Sequence, residues 1–235
     1  MNLILLFDED FISDNLVRLK GRRHKHVKDV LGAKLESKLC VGRVNNLCGQ
    51  GRILKLTDTY VDLEVVLNKT PPKAIPLTLI LALPRPLVIK RILSAVTSMG
   101  VKRIHLIQTN RVEKSFWKSP ALEKGSIDEQ LILGLEQSKD TVLPEIALHK
   151  QFRPFFEKEF PKITKTTSVI VAHPDASKPC PRNIKKPTTL VIGPEGGFIP
   201  YEIELFSKAG CDIVHLGSRI LRVETVLPAL IAKLF

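Results

Sequence analysis

A chain of 235 residues with 44% hydrophobic and 26% charged side chains has the composition of an ordinary folded protein, and no stretch approaches the roughly 20 uninterrupted apolar residues of a membrane-spanning helix. Its four cysteines (Cys40, Cys48, Cys180 and Cys211) lie far apart without a C-x-x-C pair, which excludes a zinc pattern and points to reduced thiols in a cytosolic protein. The net charge of +12 favours a polyanionic partner, since each neutralised phosphate releases condensed counterions.

The opening MNLILLFDEDF has no basic residue before its apolar run and acids directly after it, which predicts a first strand, Leu3–Phe7, rather than a signal peptide. A helical segment is expected at His24–Leu31. Strands are expected at Lys38–Val44, Gly51–Leu56 and Tyr60–Leu67, the last with apolar residues at every second position. Short strands broken by Gly and Asp predict a small β-barrel over residues 1–70. The segment Asn68–Pro76 carries three prolines and reads as a linker.

From residue 71 the rhythm changes to alternating strands and helices, the signature of a parallel sheet covered on both faces. Strands are expected at Leu77–Leu83, Val101–Ile107, Ser168–Ala172, Leu190–Ile192 and Cys211–Leu216. Helices are expected at Pro86–Met99, Ile127–Leu135, Pro200–Ala209 and Thr225–Phe235. In the first of these helices Ile89, Ile92, Leu93, Val96 and Met99 make one stripe, and Gly100 suits its end. With Thr225 as N-cap, Pro228 falls in the first turn of the last helix.

Two glycine-bearing loops each follow an apolar run near the end of the chain: Gly193-Pro194-Glu195-Gly196-Gly197, and Leu216-Gly217-Ser218-Arg219-Ile220-Leu221-Arg222-Val223-Glu224-Thr225. Ligands bind outside the carboxyl ends of parallel strands, so the pair predicts one composite pocket. The first loop has neither the Gly-Lys-Ser/Thr ending of a phosphate loop nor G-x-G-x-x-G. Its glycines leave backbone groups open to a flat ring such as adenine, although a ligand-free tight turn has the same composition. Arg219 and Arg222 either serve a ligand or pair structurally, for instance with Glu224.

The charge is uneven. Residues 71–125 hold ten Lys and Arg against Glu113 and Glu123 alone. The segment Arg18, Lys20, Arg22, Arg23, His24, Lys25, Lys28 contains no acid and is a candidate phosphate-backbone clamp, or else a solvated helix face. Arg85 and Arg111 extend the candidate RNA surface. Phe116 and Trp117 are either base-stacking groups or core residues. Glu136-Gln137-Ser138 is polar on a leucine-lined helix, so exposure is expected.

LVIGPEGGF, LGSRILRVET, Glu136-Gln137-Ser138 and RRHKHVKDVL together resemble the RsmE family of small-subunit ribosomal RNA methyltransferases, over nearly the whole chain. The chain departs from the family pattern in the helix after Leu83, IKRILSAVTSMG, and at Ser218, where the family usually has Pro. The resemblance implies a SPOUT-type α/β domain (71–235) with a parallel sheet and C-terminal trefoil knot, after a PUA-like RNA-binding barrel (1–70). It also implies a cytoplasmic homodimer that uses S-adenosyl-L-methionine to methylate N3 of a uridine in 16S ribosomal RNA, within the assembled small subunit. On this reading Ala172, Ile192, Gly193, Pro194, Gly196, Gly197, Leu216, Gly217, Ile220, Leu221 and Thr225 hold the cofactor. Arg222, Arg219 and Glu195 are the catalytic candidates, with Glu224 the alternative to Glu195 for orienting the arginines or accepting the proton, and no metal is involved. The alternatives are a SPOUT methyltransferase for another RNA, or a non-catalytic RNA-binding protein of the same fold.

Overall fold

A computed structural model describes residues 2–235. It divides into two compact units: one runs to Lys73 and takes in Ile132–Leu143, and the other comprises Ala74–Leu131 and Pro144–Phe235.

The first unit contains β1 (Ile4–Leu6), β2 (Phe11–Ser13), β3 (Leu16–Lys20), α1 (Gly21–Lys25, continued by a wider turn over His26–Val30), β4 (Lys38–Arg43), β5 (Cys48–Leu56) and β6 (Tyr60–Lys69). The strands follow the order β1-β4-β5-β6-β3-β2, antiparallel except for β1 beside β4. Period-two patterning fills the core: Val17 and Leu19 of β3 and Val61, Leu63 and Val65 of β6 are buried together with Val41 and Ile53. Segment 132–143 belongs here for a visible reason. The backbone N–H groups of Asn2 and Leu3 both donate to the Glu136 carbonyl at 3.0 Å, and Leu135 packs with Leu3, Leu5 and Cys48. The sequence pattern alone assigns that segment to the second domain.

The second unit carries a seven-stranded, wholly parallel sheet ordered β11-β13-β10-β12-β7-β8-β9. Its strands are β7 (Leu77–Ala82), β8 (Arg103–Ile107), β9 (Glu145–His149), β10 (Ser168–Ala172), β11 (Lys178–Pro179), β12 (Thr188–Ile192) and β13 (Asp212–His215). Every residue of β7 and β12 is buried, as expected for central strands covered on both faces. Thr188 and Thr189 open β12 because their hydroxyls are satisfied, by the Lys186 carbonyl (3.0 Å) and the Thr167 hydroxyl (2.7 Å). The helices are α2 (Pro86–Ser98), α3 (Lys124–Ser138, whose C-terminal part enters the first unit), α4 (Phe152–Pro154), α5 (Phe160–Thr164), α6 (Pro200–Lys208) and α7 (Val223–Leu234). The sequence pattern did not reveal β2, β3, β9, β11 or the helical stretch 152–164.

The last helix also differs from expectation. It begins at Val223 with Arg222 as its N-cap, so Thr225 lies inside it and Pro228 falls beyond the first turn. Proline has no N–H for the carbonyl four residues back, here Glu224. The helix is held by its apolar stripe, Val223, Leu227, Leu230, Ile231 and Leu234, on the side that faces α2. Among the described residues no helix is long and apolar enough to cross a membrane.

Candidate active site

The strands β13, β10 and β12 are neighbours, and the chain visits them out of order, so their carboxyl ends open loops on both sides of β10. A cavity of about 710 Å³ lies there, within the second unit. It is lined by Ala172 at the end of β10, by Ile192 and the whole Gly193–Gly197 loop after β12, and by Leu216, Gly217, Arg219, Ile220, Leu221 and Arg222 after β13. All three strand ends that the sequence pointed to therefore contribute to one cavity. Thr225 is the exception: it is exposed on α7 and does not line it, because the helix starts a turn-fraction earlier than expected and carries Thr225 past the rim.

The loops owe their shape to particular glycines. Gly197 has φ +72° and Gly217 φ +144°, backbone that side-chain-bearing residues rarely adopt. At Gly193 the constraint is space, since a Cβ would lie 3.2 Å from the ring of the buried Phe198. Two groups from elsewhere in the unit, one backbone N–H and one guanidinium, brace the first loop. The Glu195 carboxylate accepts the backbone N–H of Arg85 at 3.0 Å, tying the loop to the end of β7. Arg111 donates from its guanidinium to the Gly196 carbonyl. Arg85 and Arg111, expected on an RNA surface, thus both line the cavity.

The walls are mixed in character. Ile192 and Val214 are buried, whereas Leu221 is 38% and Ile220 82% exposed, an apolar strip left open to a ligand. Arg219 and Arg222 are exposed and, among the described residues, form no ion pair; the expected alternative of pairing with Glu224 does not occur. Glu224 reaches the lining, and so do His173 and Asp175, which were not singled out by sequence pattern. An open apolar strip, the backbone of two glycine loops and guanidiniums without an ion pair among the described residues fit an adenosine-bearing sulfonium cofactor beside an RNA base.

The basic segment of the first unit is largely committed to internal pairs. Arg18 forms a two-pronged pair with Asp62, its register partner across β3 and β6, at 2.7 and 2.9 Å. Arg22 bonds Glu136 at 2.9 Å, and Lys28 bonds Asp58 at 2.7 Å. Arg23 and His24 turn inward. Arg23 holds the buried Asp10, and the His24 ring, 4% exposed, bonds the Thr57 carbonyl at 2.9 Å. These two are structural, which corrects the expectation that the whole run faces RNA. Lys20 and Lys25 remain exposed without an ion pair among the described residues. Glu136 also corrects an expectation, being 1% exposed; burial pushes its carboxyl up and Arg22 pulls it part-way back.

Residues 71–234 match the family model described as an RNA methyltransferase domain. Over 96% of its length the chain is 31% identical to the ribosomal RNA small subunit methyltransferase E of Treponema pallidum, of which it covers 87%. The chain belongs to the RsmE family. A second relative, ribosomal RNA small subunit methyltransferase E 1 of Borreliella burgdorferi, is 23% identical, with 96% of this chain and 93% of that protein covered. Among solved structures, the Neisseria gonorrhoeae ribosomal RNA small subunit methyltransferase E bound to S-adenosyl methionine superposes with a TM-score of 0.75. The match covers 99% of this chain and 95% of that one at 22% identity, a likeness of fold.

Proposed function

We infer that this RsmE-family chain is an S-adenosylmethionine-dependent methyltransferase of small-subunit ribosomal RNA, and we propose N3 of a uridine in 16S RNA as the acceptor. The observation that carries the reading is the single cavity built from the loops after β10, β12 and β13, with two unpaired arginines at its edge. A family-wide likeness and a cofactor-bound relative of the same fold support it. We further propose a knotted C-terminal region, a PUA-like role for the first unit, a homodimer, a cytoplasmic location and the assembled small subunit as substrate.

When bound, the cofactor supplies an electrophilic methyl group on a sulfonium sulfur. The chain's own residues do the rest. Ile192, Leu216 and Leu221 flank a flat ring, and backbone groups of residues 193–197 and 216–221 meet its polar edge, apart from the Gly197 N–H, which bonds the Pro194 carbonyl, and the Gly196 carbonyl, which bonds Arg111. Uridine N3 carries a proton and is a poor nucleophile until it is lost. Arg222 and Arg219 stabilise the negative charge that then spreads onto O2 and O4. Glu195, which accepts the Arg85 N–H through one oxygen, takes up that proton through the other. Lys20, Lys25 and the exposed end of Arg22 contact the RNA backbone without reading sequence.

The test is Arg222→Ala. Single-turnover methyl transfer should fall by roughly 100-fold or more, the scale of losing one charge-stabilising donor, while cofactor affinity by calorimetry stays within about threefold. An unchanged single-turnover rate removes Arg222 from the mechanism.

A further inference from the structure

A second concavity of the same unit, about 310 Å³, is lined by Gln108, Thr109, Asn110, Lys114, Phe152 and Tyr201, with Ile199 and Glu202 beneath. We propose that it is a binding site for an unpaired nucleobase of the RNA flanking the methylated one, a reading that rests on the function proposed above.

The polar groups around it divide into those already satisfied and those left open. The Gln108 side chain is fully engaged: its amide donates to the carbonyls of Thr109 (2.6 Å) and Val112 (2.8 Å), and its oxygen accepts the Trp117 indole N–H at 2.5 Å. The Glu202 carboxylate, 2% exposed, accepts the backbone N–H groups of Asn110 (2.8 Å) and Ile199 (3.0 Å). That carboxylate clamps the two walls together, so the groove is shaped before any ligand arrives. Thr109 is different. It is 1% exposed and its hydroxyl has no hydrogen-bond partner. A buried hydroxyl is costly when left unpaired, and it can both donate and accept.

Above this floor the open groups are the Asn110 carboxamide, the Lys114 ammonium and the face of Tyr201, which is 61% exposed and stacks on no other ring among the described residues. An aromatic face, a donor–acceptor amide and hydroxyl, and one cation are the requirements of a splayed-out base with its phosphate. The location agrees. Arg111 and Phe198 line the methyl-transfer cavity, while their chain neighbours Asn110 and Ile199 line the groove, so the same two stretches build both.

Trp117 is the chain's single tryptophan and is hydrogen-bonded to the groove residue Gln108, so its emission reports on occupancy. The experiment titrates the full chain with a short uridine-rich single-stranded RNA, followed by Trp117 emission and by anisotropy of a labelled RNA end, with calorimetric S-adenosylmethionine binding in parallel. Tyr201→Ala, on an exposed side chain, should weaken RNA binding by about fivefold or more, the loss of one stacked base. Tyr201→Phe should stay within about twofold, and Thr109→Val should weaken binding without changing cofactor affinity. RNA affinity in Tyr201→Ala equal to wild type, with cofactor binding and methyl transfer intact, overturns the groove and leaves the functional reading standing. Failure of the wild-type chain to bind cofactor overturns the functional reading instead.

Discussion

Replacing Arg23 by alanine separates a structural arginine from an RNA-binding one. Its guanidinium donates to Asp10 Oδ2 at 2.5 Å, to Asp10 Oδ1 at 2.8 Å and to the Leu5 carbonyl at 2.8 Å, and lies over the Phe7 ring. The Arg23 side chain is 16% and that of Asp10 6% exposed, so solvent does little to screen the pair. Breaking a buried pair costs about 3–5 kcal/mol because the remaining charge is stranded. Asp10 would keep the Phe7 N–H at 2.7 Å, which places the expected loss near the lower end, about 3 kcal/mol. Against a typical stability of roughly 5–15 kcal/mol this is a large fraction. The urea midpoint, followed by far-UV circular dichroism, should fall by about 1 M at a slope of roughly 3 kcal/mol/M. The slope of RNA affinity against salt should not change in Arg23→Ala below its transition. Lys20→Ala and Lys25→Ala should instead leave stability alone and each lower that slope by roughly 0.7. Wild-type stability in Arg23→Ala, combined with a reduced salt slope, would refute the assignment.

Stability should fall on mild acidification through the stacked His105–His149 pair, whose rings lie 5.4 Å apart. Burial, then His149 and Arg103, push the His105 imidazole from its ordinary 6.5 down to about 4, so between those pH values the unfolded chain binds a proton that the folded one refuses. Urea midpoints should drop as pH is lowered from 6.5 towards 4, and His105→Leu should flatten that dependence; a profile unchanged by the substitution would remove the cause. Gly193→Ala should cost about 1–3 kcal/mol and weaken cofactor binding, since its Cβ must displace Phe198, whereas Gly125→Ala, with nothing within 4 Å of its Cβ, should be tolerated. Thermal melting with and without S-adenosylmethionine checks both, and equal behaviour of the two variants would contradict the packing argument.

The sheet of the second unit was legible because its central strands are short uninterrupted apolar runs, LTLILA above all, and α2 carries one clean stripe ended by Gly100 at φ +87°. Edge elements were not: β9 reads EIALH and is only half buried, so it lacks the alternation that a sequence shows. Helix 152–164 was hidden by Pro154 and Pro161. The basic run from Arg18 to Lys28 misled for a related reason. Its charge is local, but its counter-charges, Asp10, Asp58, Asp62 and Glu136, arrive from distant parts of the chain. β3 was missed with it, since Arg18 and Lys20 mask a strand whose other positions, Val17 and Leu19, are core. For the candidate site, the two glycine loops were visible as motifs. The bracing of Gly196 by Arg111 and of Glu195 by the Arg85 backbone is a tertiary fact without a sequence signal.

Nucleoside mass spectrometry of the RNA product decides whether this chain methylates uridine N3. Purified chain, S-adenosylmethionine and small ribosomal subunits from a strain lacking the corresponding gene are incubated, and the 16S RNA is digested to nucleosides. 3-Methyluridine should appear with the chain, and about 100-fold more slowly with Arg222→Ala over the same time course. A methyl group on a ribose, on another base atom or on no nucleoside at all, with cofactor bound, would contradict it.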